Sequence, residues 1–138
     1  MPKILVVTHG SLAEAYREVL GMFFGDDAQE VVALGLKPDD SAELFGQAVR
    51  NAIMSMYTEE GVLIFVDVLS GTPFNTVAMA MHDLAESCPN LECLSGVNLP
   101  TLMEAFADRN DKSLSELHSQ ARQNFADSLA DVREVLGL

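Results

Sequence analysis

Basic residues are scarce in this sequence. Eight Lys and Arg face 21 Asp and Glu, a formal charge of −13, and a surface of that sign repels phosphate backbones and anionic headgroups. No nucleic-acid partner is expected; a protein with a basic docking face suits the field better. Cysteine is almost missing as well. Cys88 and Cys93 have four residues between them and no second pair nearby, so the ligand set of a structural zinc site is absent and two reduced packing residues are expected. Long apolar runs are lacking too. Nothing approaches the roughly 18 consecutive apolar residues of a membrane span, and Ile4 to Val7 is too short for the core of a secretory signal. A cytoplasmic protein is expected. Neither G-x-G-x-x-G nor a Walker A sequence occurs, which removes the two common nucleotide loops. With no metal-ligand spacing either, the reading is no metal and no other cofactor.

What is present is enough for one core. The 138 residues are 49% hydrophobic, which fits a single domain over 1–138, with no internal repeat, low-complexity tract or linker. Lys3 to Thr8 and Val62 to Val66 are apolar runs without alternation, the pattern of strands buried on both faces. Val31 to Leu36 and Leu91 to Leu94 supply two more. Between them the apolar residues take helical spacing, with Leu12, Ala15, Tyr16, Val19, Leu20 and Phe23 as one stripe and Leu44, Ala48, Ile53 and Met56 as another. Helix starts are expected at Ser11 with Glu14, Ser113 with Glu116, Asp40 with Glu43, and at Thr72 capping a helix whose first residue is Pro73. The alternation predicts an α/β fold: a three-layer α/β/α open parallel sheet with right-handed crossovers. Beyond a polar break at Asp108–Asp111, a helix carries Leu114, Leu117, Ala121 and Phe125 on one side. Asp131 to Leu136 either prolongs it or forms a small edge strand.

Open α/β sheets bind ligands beyond the carboxyl ends of their strands. That rule selects Thr8-His9-Gly10-Ser11 after the first strand and Asp67 to Pro73 after the third. If these strands are neighbours, about 4.8 Å apart, His9 and Asp67 emerge side by side. A carboxylate holding one imidazole nitrogen fixes the tautomer and makes the other nucleophilic towards phosphorus. Ser70-Gly71-Thr72-Pro73 then leads into a helix, where free N–H groups and the helix dipole favour phosphate oxygens. Gly71 permits close approach, Ser70 and Thr72 add hydroxyl donors, the Phe74 amide belongs to the same turn, and Gly10 and Ser11 offer a second set. Taken singly each feature is ordinary turn or cap chemistry; their convergence on one edge carries the reading. His82 and His118 lie on helices as surface or half-buried residues, and methionines such as Met79 and Met81 read as core filler.

Four segments together, Val6-Val7-Thr8-His9-Gly10, Gly61 to Asp67, Ser70 to Asn75 and Gly96-Val97-Asn98-Leu99-Pro100, resemble the IIA component of the mannose-type phosphotransferase system. The resemblance implies a sheet in the order 2-1-3-4 and a homodimer, with an antiparallel edge strand exchanged near the C-terminus; Asp131 to Leu136 is the candidate strand. It further implies a phosphotransferase in which phospho-HPr phosphorylates His9 on Nε2, Asp67 orients Nδ1, and the group passes to a IIB component. The membrane IIC and IID components are engaged only indirectly. Family members are often fused to a IIB domain, whereas this chain stops at Leu138, so a separate acceptor is expected. Ser11 after His9-Gly10, and Val68-Leu69-Ser70 where relatives are richer in glycine, bear on the pathway served rather than on the chemistry. Asn98, after the fourth strand, is a candidate for the rim. Two enzyme-like rivals lack a needed residue: a histidine phosphatase requires arginine where Thr8 stands, and a receiver phosphorylated on Asp67 requires an acidic pair where Thr8-His9 stands.

Overall fold

Strands apolar on both faces are stable only between two layers of helix. Ile4 to Val7 and Val62 to Val66 are buried throughout, and in the computed structural model, which describes Met1 to Leu138, they form the centre of the sheet. The strands are β1 (Lys3–His9), β2 (Val32–Leu36), β3 (Val62–Val66) and β4 (Leu91–Leu94), all parallel, in the order β2-β1-β3-β4. Leu5, Val7, Ile64 and Val66 face a layer containing Phe45, Val49 and Ile53 of α2 (Ala42–Met56) and Val77 and Ala80 of α3 (Thr72–Asp83). The alternate residues Ile4, Val6, Leu63 and Phe65 face Ala13 and Leu20 of α1 (Leu12–Phe24). The same side holds Leu102, Ala105 and Phe106 of α4 (Leu99–Asp108) and Leu117 of α5 (Leu114–Asn124). Each Val, Leu, Ile or Phe among them contributes about 1.5–3 kcal/mol when removed from water, so the two faces together hold the strand ends that carry the site. No helix is long and apolar enough to cross a membrane.

The expected stripes of both first helices hold in part: Tyr16 and Leu20 of α1 and Ile53 and Met56 of α2 pack on the core, while other members give way to a neighbouring residue. α1 buries Ala13 and Leu20 and half-buries Tyr16 and Phe24, leaving Leu12 and Phe23 41% and 57% exposed. Apolar residues on adjacent positions made two phases equally plausible in sequence; a tertiary bond decides between them. The buried Thr8 hydroxyl accepts the Ala13 N–H at 2.8 Å, which fixes how α1 leaves the sheet. α2 likewise buries Phe45, Val49 and Ile53, with Leu44 and Ala48 outside. Met79 is 64% exposed and no core filler, while Met81 packs on the core from its edge.

The caps sort by whether the cap residue's backbone is extended. Ser113 (ψ 165) and Glu116 form the expected reciprocal capping box. Ser11 (ψ 10) makes no cap bond, because Thr8 does that work from inside the sheet. Ser41 rather than Asp40 caps α2, accepting the Leu44 N–H, and Asp40 instead accepts from the Lys37 N–H at 2.8 Å. Thr72 is the first residue of α3 and not its cap; Gly71 occupies that position and Pro73 is second.

At the far end of the sheet Arg109 is buried under α4, stacked 3.6 Å from the Phe106 ring centroid and bonded to Phe106 O at 2.7 Å and Glu30 at 2.9 Å. Past α5 a 3₁₀ turn, Ala126–Ser128, precedes α6 (Val132–Leu136). Asp131 to Leu136 is therefore neither a strand nor a continuation of α5. The Asp131 carboxylate accepts the Glu134 N–H at 3.0 Å, and Gly137 ends the helix in the left-handed region, giving the segment its own start and stop signals.

Candidate functional site

β1 and β3 pair with Val7 level with Val66, so Thr8 and His9, the last residues of β1, stand beside Asp67 where β3 has ended. Oδ2 of Asp67 accepts two bonds from one residue, the His9 N–H at 2.9 Å and the His9 ring at Nδ1, 2.8 Å away. An ionised carboxylate is acceptor only, so the ring proton sits on Nδ1 and the lone pair on Nε2. That lone pair is accessible, since the His9 side chain is half exposed while Asp67 keeps 11%. Nε2 and Cε1 face Gly71, where a Cβ would stand 3.7 and 3.0 Å from them. Glycine is what lets the ring lie over the start of α3.

Burial is the largest single influence on the Asp67 carboxyl and works against its charge. The bonds from the His9 backbone, the His9 ring and the Val68 N–H (3.0 Å), with the imidazole charge, outweigh it and hold the group below the usual carboxylate range. The backbone of Asp67 is also fixed: its carbonyl accepts from the Gly96 N–H at 3.2 Å, and Val66 O accepts from Val97 at 3.1 Å. Tyr16 belongs to this frame. Its hydroxyl donates to Val97 O at 3.2 Å, and burial first, then the Asp67 charge, pushes its pKa up. Sequence pattern had made Tyr16 and Thr8 only an apolar-stripe member and a strand end. Their polar contacts depend on Val97 and on how α1 packs, which no local signal reports.

Unpaired donors lie in the two turns that follow His9 and Asp67. The amides of Ser11, Ser70 and Gly71 have no acceptor within the protein. Ser70 is the one non-glycine residue at positive φ (64°), and the α3 start has no side-chain cap. Thr72 and Phe74 add first-turn amides; Pro73, lacking an N–H, loses nothing there. The Ser70 and Thr72 hydroxyls are exposed. Gly10 (φ 56°) turns the chain towards α1. Asn98 is not part of this set: it caps α4 through the Thr101 N–H (3.0 Å) and donates to Ser128 at 2.7 Å, which spends its amide on the C-terminal segment. His82 is exposed on α3 and His118 lies 3.6 Å from Glu92 beside β4, both remote from His9 in the fold.

A half-exposed imidazole held by a carboxylate, beside turns whose amides have no partner, is an arrangement that the chemistry of a nucleophile with an oxyanion cradle can use. Residues 3–122 match the family described as PTS system fructose IIA component (EIIA-man). The chain belongs to the mannose- and fructose-type IIA family of the phosphotransferase system. This IIA chain is 28% identical over 117 residues to the fructose-specific EIIA component of Bacillus subtilis, covering 85% of the chain and 77% of that protein. It is 26% identical over 132 residues to the sorbose-specific EIIA component of Lacticaseibacillus casei, covering 94% and 91%. With the mannose-specific EIIAB component of Escherichia coli K12 it shares 30% identity over 108 residues, 78% of the chain but 32% of that longer protein. Among solved structures, EIIA from Streptococcus agalactiae superposes with a TM-score of 0.79 at 26% identity, over 95% of this chain and 97% of the other. The four parallel strands and their order agree with these IIA structures.

Proposed function

We propose that this IIA chain is a phosphocarrier: His9 takes a phosphoryl group from phospho-HPr and passes it to a IIB component during sugar uptake or its regulation. The observation that carries the reading is the 2.8 Å contact of Asp67 with Nδ1, which leaves Nε2 as a lone pair facing Gly71 and the start of α3. In the transfer, the P–N bond of the donor breaks as the P–Nε2 bond forms, in line. Asp67 stabilises the positive ring while the proton on Nδ1 stays in place. Equatorial phosphoryl oxygens are received by the Ser70, Gly71, Thr72 and Phe74 amides and by the Ser11 amide, the Gly10 N–H being committed to Leu36 O, with the Ser70 and Thr72 hydroxyls as further donors. Bonds made and broken are of one kind, so the step is nearly balanced and reversible, as a relay requires.

Four further features belong to this proposal. The chain works as one IIA domain, in the cytoplasm, with the membrane IIC and IID components served through IIB. It pairs with a second copy, since the open edge of β4 borders a groove of about 350 Å³ lined by Phe74, Leu94, Val97 and Phe125. Nearby, Leu129, Val132, Val135 and Leu138 are 67–88% exposed, apolar side chains that a second copy would cover. Sedimentation of the full chain tests the pairing; a monomer at all concentrations ends it. For the chemistry, phosphoenolpyruvate, Enzyme I and HPr are mixed with the protein. A species labile in acid and stable in base is expected, and His9→Ala removes it. Labelling that persists in His9→Ala, or that is cleaved by hydroxylamine as an aspartyl phosphate would be, refutes the assignment.

A further inference from the structure

The Gly10–Ser11 peptide is gripped from behind. Gly10 N–H donates to Leu36 O at 2.7 Å, and the Gly10 carbonyl reaches so far over β2 that a Cβ on Gly35 would stand 1.8 Å from its oxygen. Along β2, Ala33 packs in the α1 core and Leu34 and Leu36 in the α2–α3 core, so the vacant Cβ position of Gly35 lies on the α1 side. The ammonium of Lys37 donates to the same carbonyl at 3.3 Å and stands 3.8 Å from Glu14 Oε1. Lys37 is itself anchored in a turn, donating its N–H to the Asp40 carboxylate (2.8 Å) and accepting from the Asp40 N–H (3.0 Å). The chain has no cis peptide, so the Ser11 N–H points opposite to the Gly10 carbonyl. It is directed away from the Gly35 position that the carbonyl covers, and it has no acceptor in the protein.

We propose that Lys37 is a positioning residue for the transfer. By holding the Gly10 carbonyl over Gly35, it presents the Ser11 amide to the phosphoryl oxygens on His9. The idea rests on the phosphorylation of His9 proposed above. A glycine at positive φ has an alternative peptide orientation within reach, and the flipped peptide would aim a carbonyl, not an N–H, at a dianion. The charged bond from Lys37 opposes the flip and polarises the peptide towards a stronger donor. Gly35 is the matching requirement on β2, because any larger residue would displace the carbonyl.

The test follows the Ser11 amide in proton–nitrogen spectra of the full-length chain before and after phosphorylation, with phosphate incorporation on His9 measured separately. In the wild type the Ser11 proton is expected to move downfield. In Lys37→Met, which still incorporates phosphate, that shift is lost and phospho-His9 hydrolyses faster by about 3- to 10-fold, the worth of one hydrogen bond. Lys37→Arg, able to reach the same carbonyl, restores both. A Ser11 shift equal in Lys37→Met and wild type, or absent in a wild type that is phosphorylated on His9, overturns the role of Lys37 alone. A wild type that takes no phosphate on His9 overturns the underlying reading and this one with it.

Discussion

At the scale of single residues, the chemistry depends on groups that are cheap to alter and expensive to misplace. Asp67→Asn keeps the shape of the side chain and can still accept from the His9 N–H, but no longer forces the ring proton onto Nδ1. Phosphorylation of His9 is expected to slow by about 10²-fold or more while far-UV circular dichroism stays unchanged. A rate equal to wild type would mean that the 2.8 Å contact does not orient the nucleophile. Gly35→Ala tests space instead of charge. With the Gly10 oxygen 1.8 Å from the new Cβ, backbone on one side must move, and overpacking of this kind costs about 1–3 kcal/mol. Urea unfolding measures the loss, and stability equal to wild type would show that the turn yields freely. His9 and Asp67 were legible in the sequence because each follows an unmistakable apolar strand. Thr8, Tyr16, Gly35 and Lys37 were not, since their partners come from other elements.

At the scale of elements, two serines with the same sequence signature part company. Ser113 and Glu116 satisfy each other's backbone groups, so Ser113→Ala is expected to cost about 1 kcal/mol. Ser11 makes no cap bond, and Ser11→Ala is expected to leave stability within error of wild type. The cap of α1 is Thr8, fully buried. Thr8→Val keeps the volume but strands the Ala13 N–H, for about 1–3 kcal/mol. Urea titrations of the three variants should rank Thr8→Val and Ser113→Ala well below Ser11→Ala; the reverse order would remove the account of how α1 is held. The comparison also shows what sequence pattern could and could not give. Strand cores and the Ser113 box are local and were legible. The phase of α1 and α2 was not, because adjacent apolar residues such as Leu12 and Ala13, or Leu44 and Phe45, offer two faces and only the sheet chooses one. Asp131 to Leu136 was ambiguous for a related reason: its apolar residues find no partner within the chain, so the caps at Asp131 and Gly137 decide its form.

At the scale of the whole molecule, the fold and the charge pull in different directions as pH changes. The protein carries −13 at neutrality, and protonating its ordinary carboxylates relieves self-repulsion, which favours the compact state. Four carboxylates behave otherwise. Asp67 is depressed by bonds from His9 and Val68 that outweigh its burial, Glu30 first by Arg109, Asp108 first by Gln120, and Glu116 first by Ser113. A group whose folded pKa lies below its unfolded value binds fewer protons when folded. Its stabilisation is complete above the ordinary carboxylate range and is lost as pH falls through the lower, folded value. The expected profile therefore rises slightly or stays level from pH 7 towards the ordinary carboxylate range, then falls on further acidification. Thermal melts across that interval check it. The falling limb should be shallower in Glu30→Gln, which removes the ion pair to Arg109, and shallower again when Asp67→Asn is added. These two sit at opposite ends of the sheet, the one beneath α4 and the other beside His9, so their contributions should add. A falling limb of unchanged steepness in the double variant would mean that acid acts through the net charge and not through the carboxylates the fold has singled out.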